Sequence, residues 1–371
     1  MTIRLLPLRE QVMVITGASS GIGLVTAKEA AARGACVVLA ARNHQDLQHA
    51  VDEIRRHGGR AIHVVADVAD RAQVERIADA AVREFGRVDT WVNNAAVSAY
   101  GRITDMPIED MRRQMDVNYW GQVYGSIAAV RHLRERGGAL INVGSALCDR
   151  AIPLQGNYCA AKHALKAFTD TLRMELEEEG VPISVTLVKP ASIDTPFFEK
   201  ARTYLDVEPQ PVPPVYAPEV VADVITEAAQ RPIRELIAGG SGAKLSAARF
   251  VPRLADLYME RWTFDAQSTD TPVNGRPDNL YEPVADDGGE RGRNWTRHTR
   301  GSSVYTRAFL HPLAAAAIST GIAVSLAAVS RIFSRRQRGP SSSGGENRSR
   351  DMFRAHRSGG RTVPRHRARA T

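Results

Sequence analysis

Short apolar runs alternate with longer amphipathic stretches between residues 12 and 240, and this alternation constrains the fold more than any other feature of the chain. The runs are rich in Val, Ile, Leu and Ala and are bounded by Gly, Asn or Asp. Strands without a polar face must be covered on both sides, so the pattern predicts an α/β fold with a doubly wound parallel sheet between two layers of helices. Seven strands are predicted, at residues 12–16, 36–41, 61–66, 88–93, 139–145, 183–188 and 235–238. Helices are predicted at residues 21–33, 44–57, 71–85, 108–136 and 157–179.

Beyond residue 240 the composition changes in three steps. Residues 242–262 have the pattern of one further helix, which completes a body of residues 1–262. Residues 263–307 are rich in Asp, Gly, Pro, Asn and Arg, which is typical of a polar linker or an extended arm. Residues 308–330 contain no formal charge, and residues 331–371 form an Arg-, Ser- and Gly-rich tail that we predict to be disordered.

The formal charge of +8 is concentrated in that tail. Residues 331–371 contain twelve Arg and two acidic residues, whereas residues 1–330 have a net charge of −2. Binding to nucleic acid through phosphate contacts would explain the charge, but the tail offers few stacking aromatic residues, Phe333 and Phe353, and no recognisable module. We therefore do not expect nucleic acid as a partner, and compositional drift is the simpler explanation.

Three cysteines, Cys36, Cys148 and Cys159, show no paired spacing. An odd number without a Cys-x-x-Cys pair argues against a disulfide framework and against a zinc site, and it indicates a reducing compartment. The first ten residues contain no long apolar run, so no secretory signal is predicted. We expect the folded body to be cytoplasmic and to hold no metal.

A glycine-rich turn, Thr16-Gly17-Ala18-Ser19-Ser20-Gly21-Ile22-Gly23, follows the first predicted strand and opens the first predicted helix. Glycines let the backbone turn tightly and approach a pyrophosphate, whose charge a helix N-terminus favours. An ordinary strand-to-helix turn is the alternative, but the position in a βαβ unit favours dinucleotide binding and a Rossmann-type fold. The predicted contacts are Gly17, Ser19, Ser20, Gly21, Ile22 and Gly23.

The end of the second strand predicts which dinucleotide binds. Enzymes that prefer NAD usually place an acidic residue there to hold the ribose 2′-hydroxyl. Here that acid is absent and Arg42 follows the strand, as a partner for a 2′-phosphate, so we favour NADP(H) over NAD(H); a solvated surface Arg is the alternative. Further cofactor contacts are predicted after the third and fourth strands, where ligands of open α/β sheets bind, from Asp67, Val68, Asn94 and Ala95.

Tyr158 and Lys162 are four residues apart in a predicted helix, so the phenol and the ammonium share one face. Bringing the pKa of a Tyr from about 10 to near 7 requires roughly 4 kcal/mol. One charge about 4 Å away, at an effective dielectric near 20, contributes about that much. Ser145, at the end of the fifth strand, and Asn118, in the preceding helix, accompany the pair. Two hydroxyl groups in one site can polarise a carbonyl oxygen and supply a proton to it.

In order and spacing these motifs resemble the short-chain dehydrogenase/reductase family over residues 10–240. The matches are the glycine turn, the Asn-Asn-Ala-Ala run at 93–96, and the set Asn118, Ser145, Tyr158 and Lys162. The resemblance implies that Tyr158 is the general acid/base and that Ser145 holds the substrate oxygen. It also implies that Lys162 lowers the pKa of Tyr158 and binds the nicotinamide ribose, while Asn118 supports a proton relay through water.

The stretches at residues 189–191 and 194–196 resemble the part of the family that touches the nicotinamide. The resemblance implies contacts from Pro190, Ile193 and Thr195, with Thr195 and the backbone near Ile193 holding the carboxamide.

Two positions near the cofactor depart from the family pattern, since Ala96 and Ala191 stand where Gly is usual. Each adds one methyl group, and we expect small adjustments rather than lost binding. Cys148 and Cys159 flank the predicted site in sequence, and we interpret them as small core residues rather than as redox sensors.

Residues 191–216 are placed to form a lid over the substrate. Inward-facing apolar residues are predicted from the lid (Phe197, Phe198, Tyr204 and the Pro-rich run at 209–214) and from the opposite wall (Leu147, Ile152 and Leu154). We therefore expect a pocket for a lipophilic ketone or alcohol, although lid residues also pack simply to exclude water.

The uncharged segment at residues 308–330 would span about 34 Å as a helix, close to the roughly 30 Å core of a bilayer. We interpret it as a membrane helix; a buried or partner-binding helix is the alternative. A single span would place the body and the Arg-rich tail on opposite sides of the membrane. The positive-inside rule keeps the tail in the cytoplasm, where the body also needs its NADP(H), so one span cannot satisfy both. Either the tail crosses despite its charge, or residues 308–338 lie in the interface with arginines on anionic headgroups.

The leading hypothesis is an NADP(H)-dependent oxidoreductase that interconverts a carbonyl and an alcohol. A catalytically idle NADP(H)-binding sensor is the second hypothesis, and the intact set of four catalytic residues argues against it. A membrane-tethered interaction protein on the same scaffold is the third. The resemblance also implies a homo-oligomer, since dimers and tetramers are common in the family.

Overall fold

A single parallel sheet of seven strands forms the centre of the computed structural model, which describes residues 3–285, 288–293 and 295–311. The strands are β1 (Val12–Thr16), β2 (Cys36–Ala41), β3 (Arg60–Val65), β4 (Thr90–Asn93), β5 (Gly138–Val143), β6 (Ile183–Pro190) and β7 (Glu235–Ala238). Their order, β7-β6-β5-β4-β1-β2-β3, reverses between β1 and β4. This is the doubly wound arrangement of Rossmann-type folds, so the predicted fold class is confirmed.

Helices α1, α2 and α7 cover one face of the sheet, and α3, α5 and α6 cover the other. The helices are α1 (Gly21–Ala32), α2 (His44–Arg56), α3 (Arg71–Phe85), α4 (Ile108–Met115), α5 (Gly121–Leu133), α6 (Gly156–Glu178), α7 (Glu219–Ala228), α8 (Gly240–Ala247), α9 (Pro252–Ala266) and α10 (Val304–Leu310). Successive residues of a strand point to opposite faces. Met13 and Ile15 of β1 pack with α1, α2 and α7, whereas Val12 and Val14 pack with α3 and α5. Because both faces are buried, the strand has no polar side.

Two predicted helices are interrupted in the structure. The helix predicted at 108–136 consists of α4, a π-helical turn at Asp116–Trp120, and α5. The helix predicted at 242–262 is divided into α8 and α9, with a 3₁₀ turn at Ala248–Phe250 between them. Pro252 begins α9 and disfavours helical geometry at Val251, which adopts φ −130° and ψ 61°.

The polar stretch predicted at 263–307 is an extended arm that packs closely on the body, within a compact unit of residues Met1–Ala315. Its strand Ser268–Pro272 pairs antiparallel with Val207–Pro209. Leu280 inserts fully into the core beside Val117. The arm therefore contributes to the walls around the sheet rather than connecting two bodies.

The helix predicted at 308–330 is described only at its start. Helix α10 begins at Val304, where the Ser303 hydroxyl caps the Thr306 amide at 3.3 Å, and it ends at Leu310. The rest of the predicted segment and the Arg-rich tail at 331–371 lie outside the described residues. Among the residues that are described, no helix has both the length and the apolarity needed to cross a bilayer.

Candidate active site

The carboxyl ends of the parallel strands open onto one cleft of about 980 Å³. Ligands of doubly wound sheets bind at this edge, near the reversal of strand order. The predicted residues that line the cleft are Gly17, Ser19, Ser20, Gly21, Ile22, Arg42, Asp67, Val68, Asn94, Ala95, Pro190, Ile193 and Thr195, together with Ser145, Tyr158 and Lys162. Of the predicted site residues, only Gly23 and Asn118 lie outside this wall.

Two glycines permit the close packing of the turn after β1. Gly17 has φ +66°, and a Cβ at this position would lie 2.7 Å from the Cα of Ala95. A Cβ on Gly23 would lie 2.2 Å from the Gly17 carbonyl oxygen, which explains why Gly23 matters although it does not face the cleft. A bare backbone turn at the N-terminus of α1 fits the pyrophosphate of a dinucleotide.

Asn94 holds this turn in place. Its side-chain amide donates to the carbonyl oxygens of Thr16 at 2.9 Å and Gly17 at 3.2 Å. The Thr16 hydroxyl oxygen accepts from the backbone amides of Asn94 at 3.0 Å and Ala95 at 3.1 Å. The Asn94 side chain thus acts as a positioning group, because both of its amide hydrogens are used within the protein.

Arg42 lines the cleft at the end of β2, and the arm holds its guanidinium. Nη1 donates to the Tyr281 carbonyl oxygen at 2.7 Å, and Nη2 donates to the Asn279 carbonyl oxygen at 2.5 Å. At the next strand end, the Asp67 carboxylate pairs with Arg113 at 2.5 Å. The arm contacts carry no sequence signal, because a backbone carbonyl of any residue can make them.

Ser145 follows β5 and caps a short 3₁₀ turn, Ala146–Cys148. Its hydroxyl oxygen accepts a hydrogen bond from the Leu147 amide at 3.1 Å. The Leu147 amide thus occupies one lone pair of the hydroxyl oxygen and leaves the hydroxyl hydrogen available. Ser145 lines the cleft with a half-buried side chain, so this hydrogen can be directed into the cleft. Ser145 is therefore able to donate a hydrogen bond to an oxygen atom of a ligand.

Tyr158 and Lys162 lie one turn apart on α6, and both are buried, with 8% and 1% of their surface exposed. The Lys162 Nζ lies 5.6 Å from the centroid of the Tyr158 ring and donates to the Val143 carbonyl oxygen at 2.9 Å. Phe197 packs edge-on against the Tyr158 ring, with 5.9 Å between the centroids. The pair thus occupies a largely dry position at the wall of the cleft.

Burial governs the titration of both groups. It raises the pKa of Tyr158 well above its ordinary value, and hydrogen bonding with Ser145 opposes that shift only in part. Burial also lowers the pKa of Lys162 to about 8. The phenol loses its solvation, while the ammonium is directed at the Val143 carbonyl oxygen, so burial outweighs any lowering of the Tyr158 pKa by Lys162. The role assigned to Lys162 stays a prediction.

Asn118 lies in the π-helical turn between α4 and α5 and is fully buried. Its Oδ1 accepts from the Val97 amide and its Nδ2 donates to the Val97 carbonyl oxygen, both at 2.8 Å. The side chain therefore clamps the segment that follows β4. A proton relay from Asn118 would have to start at its main-chain carbonyl, which a π-helical turn is suited to free from the regular ladder.

Lys189 lies beneath the site in a buried ionic network, although the stretch 189–191 was predicted to touch the nicotinamide. Its Nζ pairs with Asp149 at 2.5 Å and also with Glu235. Burial acts to raise the pKa of Asp149, but hydrogen bonds from Lys189 and Ser246 outweigh it, so the pKa is lowered. The network joins β6 and β7 to the turn after Ser145, and of the predicted stretch Pro190 and Ala191 line the cleft.

Cys148 and Cys159 are buried, and burial raises the pKa of each thiol to about 11. A thiol that stays protonated at neutral pH is a poor nucleophile. This supports the interpretation of both cysteines as core residues.

The predicted lid and opposite wall line the cleft in part, through Leu147, Ile152, Phe197 and Phe198. Of the Pro-rich run, Val212, Pro213 and Pro214 line the cleft, whereas residues 209–211 do not. Leu154 and Tyr204 have other partners. Leu154 packs against Tyr100, and the Tyr204 hydroxyl contacts Asp110. The polar partner of Tyr204 could not be foreseen from its place in the chain, 94 residues away.

Helix α9 supplies an apolar wall that sequence reasoning missed, formed by Val251, Leu254, Tyr258, Met259 and Trp262. Leu254, Tyr258 and Trp262 are 67%, 59% and 57% exposed, so the wall continues to the surface at the mouth of the cleft. The signal was available, because these three residues recur at intervals of four and share one face of a helix.

A doubly wound sheet with a glycine turn after β1 and a Ser, Tyr and Lys in the same cleft defines the class of dinucleotide-dependent oxidoreductases. Residues 11–205 match the short chain dehydrogenase family. The chain belongs to this family, the short-chain dehydrogenases/reductases, and is an oxidoreductase.

Relatives of known sequence agree with this assignment. The Uncharacterized oxidoreductase YxnA of Bacillus subtilis is 45% identical over 326 residues, which cover 86% of this chain and 91% of that protein. The 11-beta-hydroxysteroid dehydrogenase A of Sesamum indicum is 38% identical over 187 residues, which cover 50% of this chain and 53% of that protein.

Two solved structures are similar to this chain and contain dinucleotides. An alcohol dehydrogenase from the archaeon Thermococcus sibiricus, complexed with 5-hydroxy-NADP, is 25% identical with a TM-score of 0.55 and covers 61% of this chain and 95% of that chain. A short chain dehydrogenase/reductase from Burkholderia phymatum, in complex with NAD, is 26% identical with a TM-score of 0.60 and covers 73% of this chain and 100% of that chain.

Proposed function

We propose that the protein is an NADP(H)-dependent oxidoreductase that interconverts a carbonyl and an alcohol, with Tyr158 as the general acid/base. The observation that carries the proposal is that Ser145, Tyr158 and Lys162 line the same cleft as the glycine turn. Two hydroxyl groups and one ammonium are the groups that carbonyl reduction requires around the substrate oxygen.

In the direction of reduction, the substrate oxygen lies between the hydroxyls of Ser145 and Tyr158. When bound, the reduced dinucleotide supplies the hydride that forms the new C–H bond. The Ser145 hydroxyl stabilises the negative charge that develops on the substrate oxygen, and Tyr158 transfers its phenolic proton to that oxygen. The raised pKa of Tyr158 keeps this proton in place at neutral pH. Lys162, with a pKa of about 8, is still mostly cationic there and stabilises the phenolate that remains.

The choice of NADP(H) over NAD(H) is supported by Arg42. The guanidinium lies in the wall of the cleft, where two carbonyl oxygens of the arm orient it, and no acidic residue ends β2. A 2′-phosphate favours this position through charge-assisted hydrogen bonds, whereas an acidic residue would favour the 2′-hydroxyl of NAD.

Substitution of Arg42 by Asp should reverse this preference. We expect the ratio of kcat/KM for NADPH to that for NADH to fall by about a hundredfold, because a charge-assisted contact is replaced by repulsion. Steady-state kinetics with both dinucleotides measures the ratio. The control is Arg60→Asp, which changes an exposed Arg at the start of the neighbouring strand β3, at the amino ends of the strands and away from the cleft. An unchanged ratio in Arg42→Asp would refute the assignment.

A lipophilic substrate is supported by the apolar side of the cleft, which Leu147, Ile152 and Phe197 line together with the wall formed by α9. A panel of lipophilic and small polar carbonyl compounds, followed by NADPH absorbance, tests this proposal. We expect turnover to increase with the apolar surface of the substrate. Turnover confined to small polar carbonyls would contradict it.

We also propose, from the sequence alone, that residues 308–338 associate with a membrane. The uncharged stretch is followed by Arg331, Arg335, Arg336 and Arg338. Because α10 ends at Leu310, a deletion that keeps this helix whole should remove residues 312–371. Cell fractionation should find the full chain with the membranes and the truncated chain in the supernatant. A full chain found wholly in the supernatant would contradict the proposal.

The formation of a homo-oligomer stays a prediction.

A further inference from the structure

The C-terminal arm crosses the cofactor side of the cleft while it is anchored at both ends. Before the crossing, Ser268–Pro272 pairs with Val207–Pro209. After the crossing, the Arg300 amide donates to the Val215 carbonyl oxygen at 2.9 Å, and the Ala217 amide donates to the Arg300 carbonyl oxygen at 3.0 Å. A single contact of the arm between these anchors can therefore break without detaching the whole arm.

One carbonyl group of the arm occupies a donor of the glycine turn. The Gly289 carbonyl oxygen accepts from the Gly21 amide at 2.9 Å. Gly21 is the first residue of α1, where a pyrophosphate oxygen would seek the same amide. An amide hydrogen that is directed at one oxygen cannot make a full hydrogen bond to another, so the arm and a pyrophosphate compete at this point.

The stretch that carries Asn279 and Tyr281 is firmly held. Between them, Leu280 is fully buried in the core. The Tyr281 hydroxyl donates to the Asp110 carboxylate at 2.8 Å. This stretch therefore stays in place and continues to orient Arg42.

Residues 288–293, which we call the strap, are held by ion pairs from three of their side chains. Glu290 pairs with Lys28 at 2.8 Å, with 37% and 25% of these side chains exposed. Arg291 pairs with Glu219 at 2.7 Å, with 41% and 44% of these side chains exposed. Arg293, which pairs with Glu199, is 73% exposed. Exposed ion pairs contribute little to stability, so the strap can release while the rest of the arm remains bound.

We infer that the strap is a built-in competitor of the dinucleotide, which must leave Gly21 before the pyrophosphate can bind there. This inference rests on the proposed function, because it assumes a dinucleotide at the glycine turn. The apparent affinity for the cofactor is then the intrinsic affinity multiplied by the fraction of molecules with an open strap. Return of the strap to Gly21 assists release of the used cofactor.

The substitution Gly289→Ala weakens the docked strap without removing a side chain. Gly289 has φ +111°, a conformation that residues with a Cβ rarely adopt, and the nearest atom to an added Cβ would be 3.8 Å away. The added methyl group therefore causes strain without a clash. We expect the Kd for NADPH, measured by calorimetric titration of the full chain, to fall about fivefold because the open state gains population.

The matched control is Gly58→Ala, which places the same strain outside the arm. Gly58 has φ +81° with no atom within 4 Å of an added Cβ, and it lies in the turn between α2 and β3. Its Kd for NADPH should equal that of the unmodified protein. A second pair tests the ionic contact: Arg291→Ala should tighten binding, whereas Arg134→Ala, which removes the exposed pair with Glu179 at 2.6 Å, should not.

Hydrogen exchange reports on the strap independently of affinity. The Gly292 amide donates to the Asp194 carboxylate at 3.1 Å, and the Arg293 amide donates to Glu199. Addition of NADPH should speed the exchange of these two amides while it slows exchange in the glycine turn. Slower exchange of both amides, or an unchanged or weaker Kd in Gly289→Ala, would overturn the inference while leaving the proposed function intact. If neither the unmodified protein nor the Gly289→Ala variant binds NADPH or NADH, both the inference and the proposed function fail.

Discussion

Substitution of Tyr158 by Phe should lower kcat/KM for carbonyl reduction by about a thousandfold or more, because it removes the proton donor of the reaction. The Kd for NADPH should change little, since the ring and its packing against Phe197 are retained. Retained binding of NADPH would show that the fold is intact, so that the loss of activity is not due to unfolding. Steady-state kinetics and calorimetric titration on the same preparation measure the two quantities.

Tyr124→Phe is the matched control for this substitution. Tyr124 lies on α5 and stacks on Trp120, away from the cleft, so removal of its hydroxyl should leave kcat/KM unchanged. General acid catalysis contributes about a hundredfold or more to the rate. A Tyr158→Phe protein that retains about a tenth or more of the activity would therefore rule out Tyr158 as the proton donor.

Substitution of Lys162 by Met should produce the second large effect, a loss of about a hundredfold in kcat/KM from removal of one preorganised cationic donor. It should also change the pH profile. The pKa of Lys162 is about 8, so its ammonium is present below pH 8 and is lost as the pH rises through that value. We therefore expect reduction by the unmodified protein to decline above pH 8. Tyr158 keeps its proton throughout this range, because burial raises its pKa.

The Met variant should lack this alkaline decline, and Lys166→Met serves as its control. Lys166 lies one turn further along α6 in an ion pair with Glu235 at 2.9 Å and does not line the cleft. The control should keep both the activity and the decline above pH 8. A decline of the same shape in Lys162→Met would show that another group titrates.

The strands were predictable because burial on both faces leaves a direct trace in composition. Three of the predicted strands, including β1 and β2, agree with the structure at both ends, and the others differ by at most two residues. The π-helical turn around Asn118 was not predictable, because one extra residue in a turn barely changes a helical pattern.

The cleft was predictable where side chains define it and not where the backbone does. Nearly all the predicted side chains around the glycine turn and Tyr158 do line one cleft. The arm, by contrast, acts through the carbonyl oxygens of Asn279, Tyr281 and Gly289, and every residue type carries that group. The direction of the Tyr158 pKa shift also escaped prediction, since spacing along a helix says nothing about how much water a phenol loses.

The most direct test of the account follows a labelled hydrogen atom. NADPH that carries deuterium at both hydrogen positions of the nicotinamide C4 is incubated with the full chain and a lipophilic ketone, and the product is analysed by mass spectrometry. We expect deuterium on the carbinol carbon with the unmodified protein, and almost none with Tyr158→Phe although that variant still binds NADPH. Tight binding of NADPH by the unmodified protein without deuterium transfer to any compound of a broad carbonyl panel would contradict the account and identify the protein as a dinucleotide sensor.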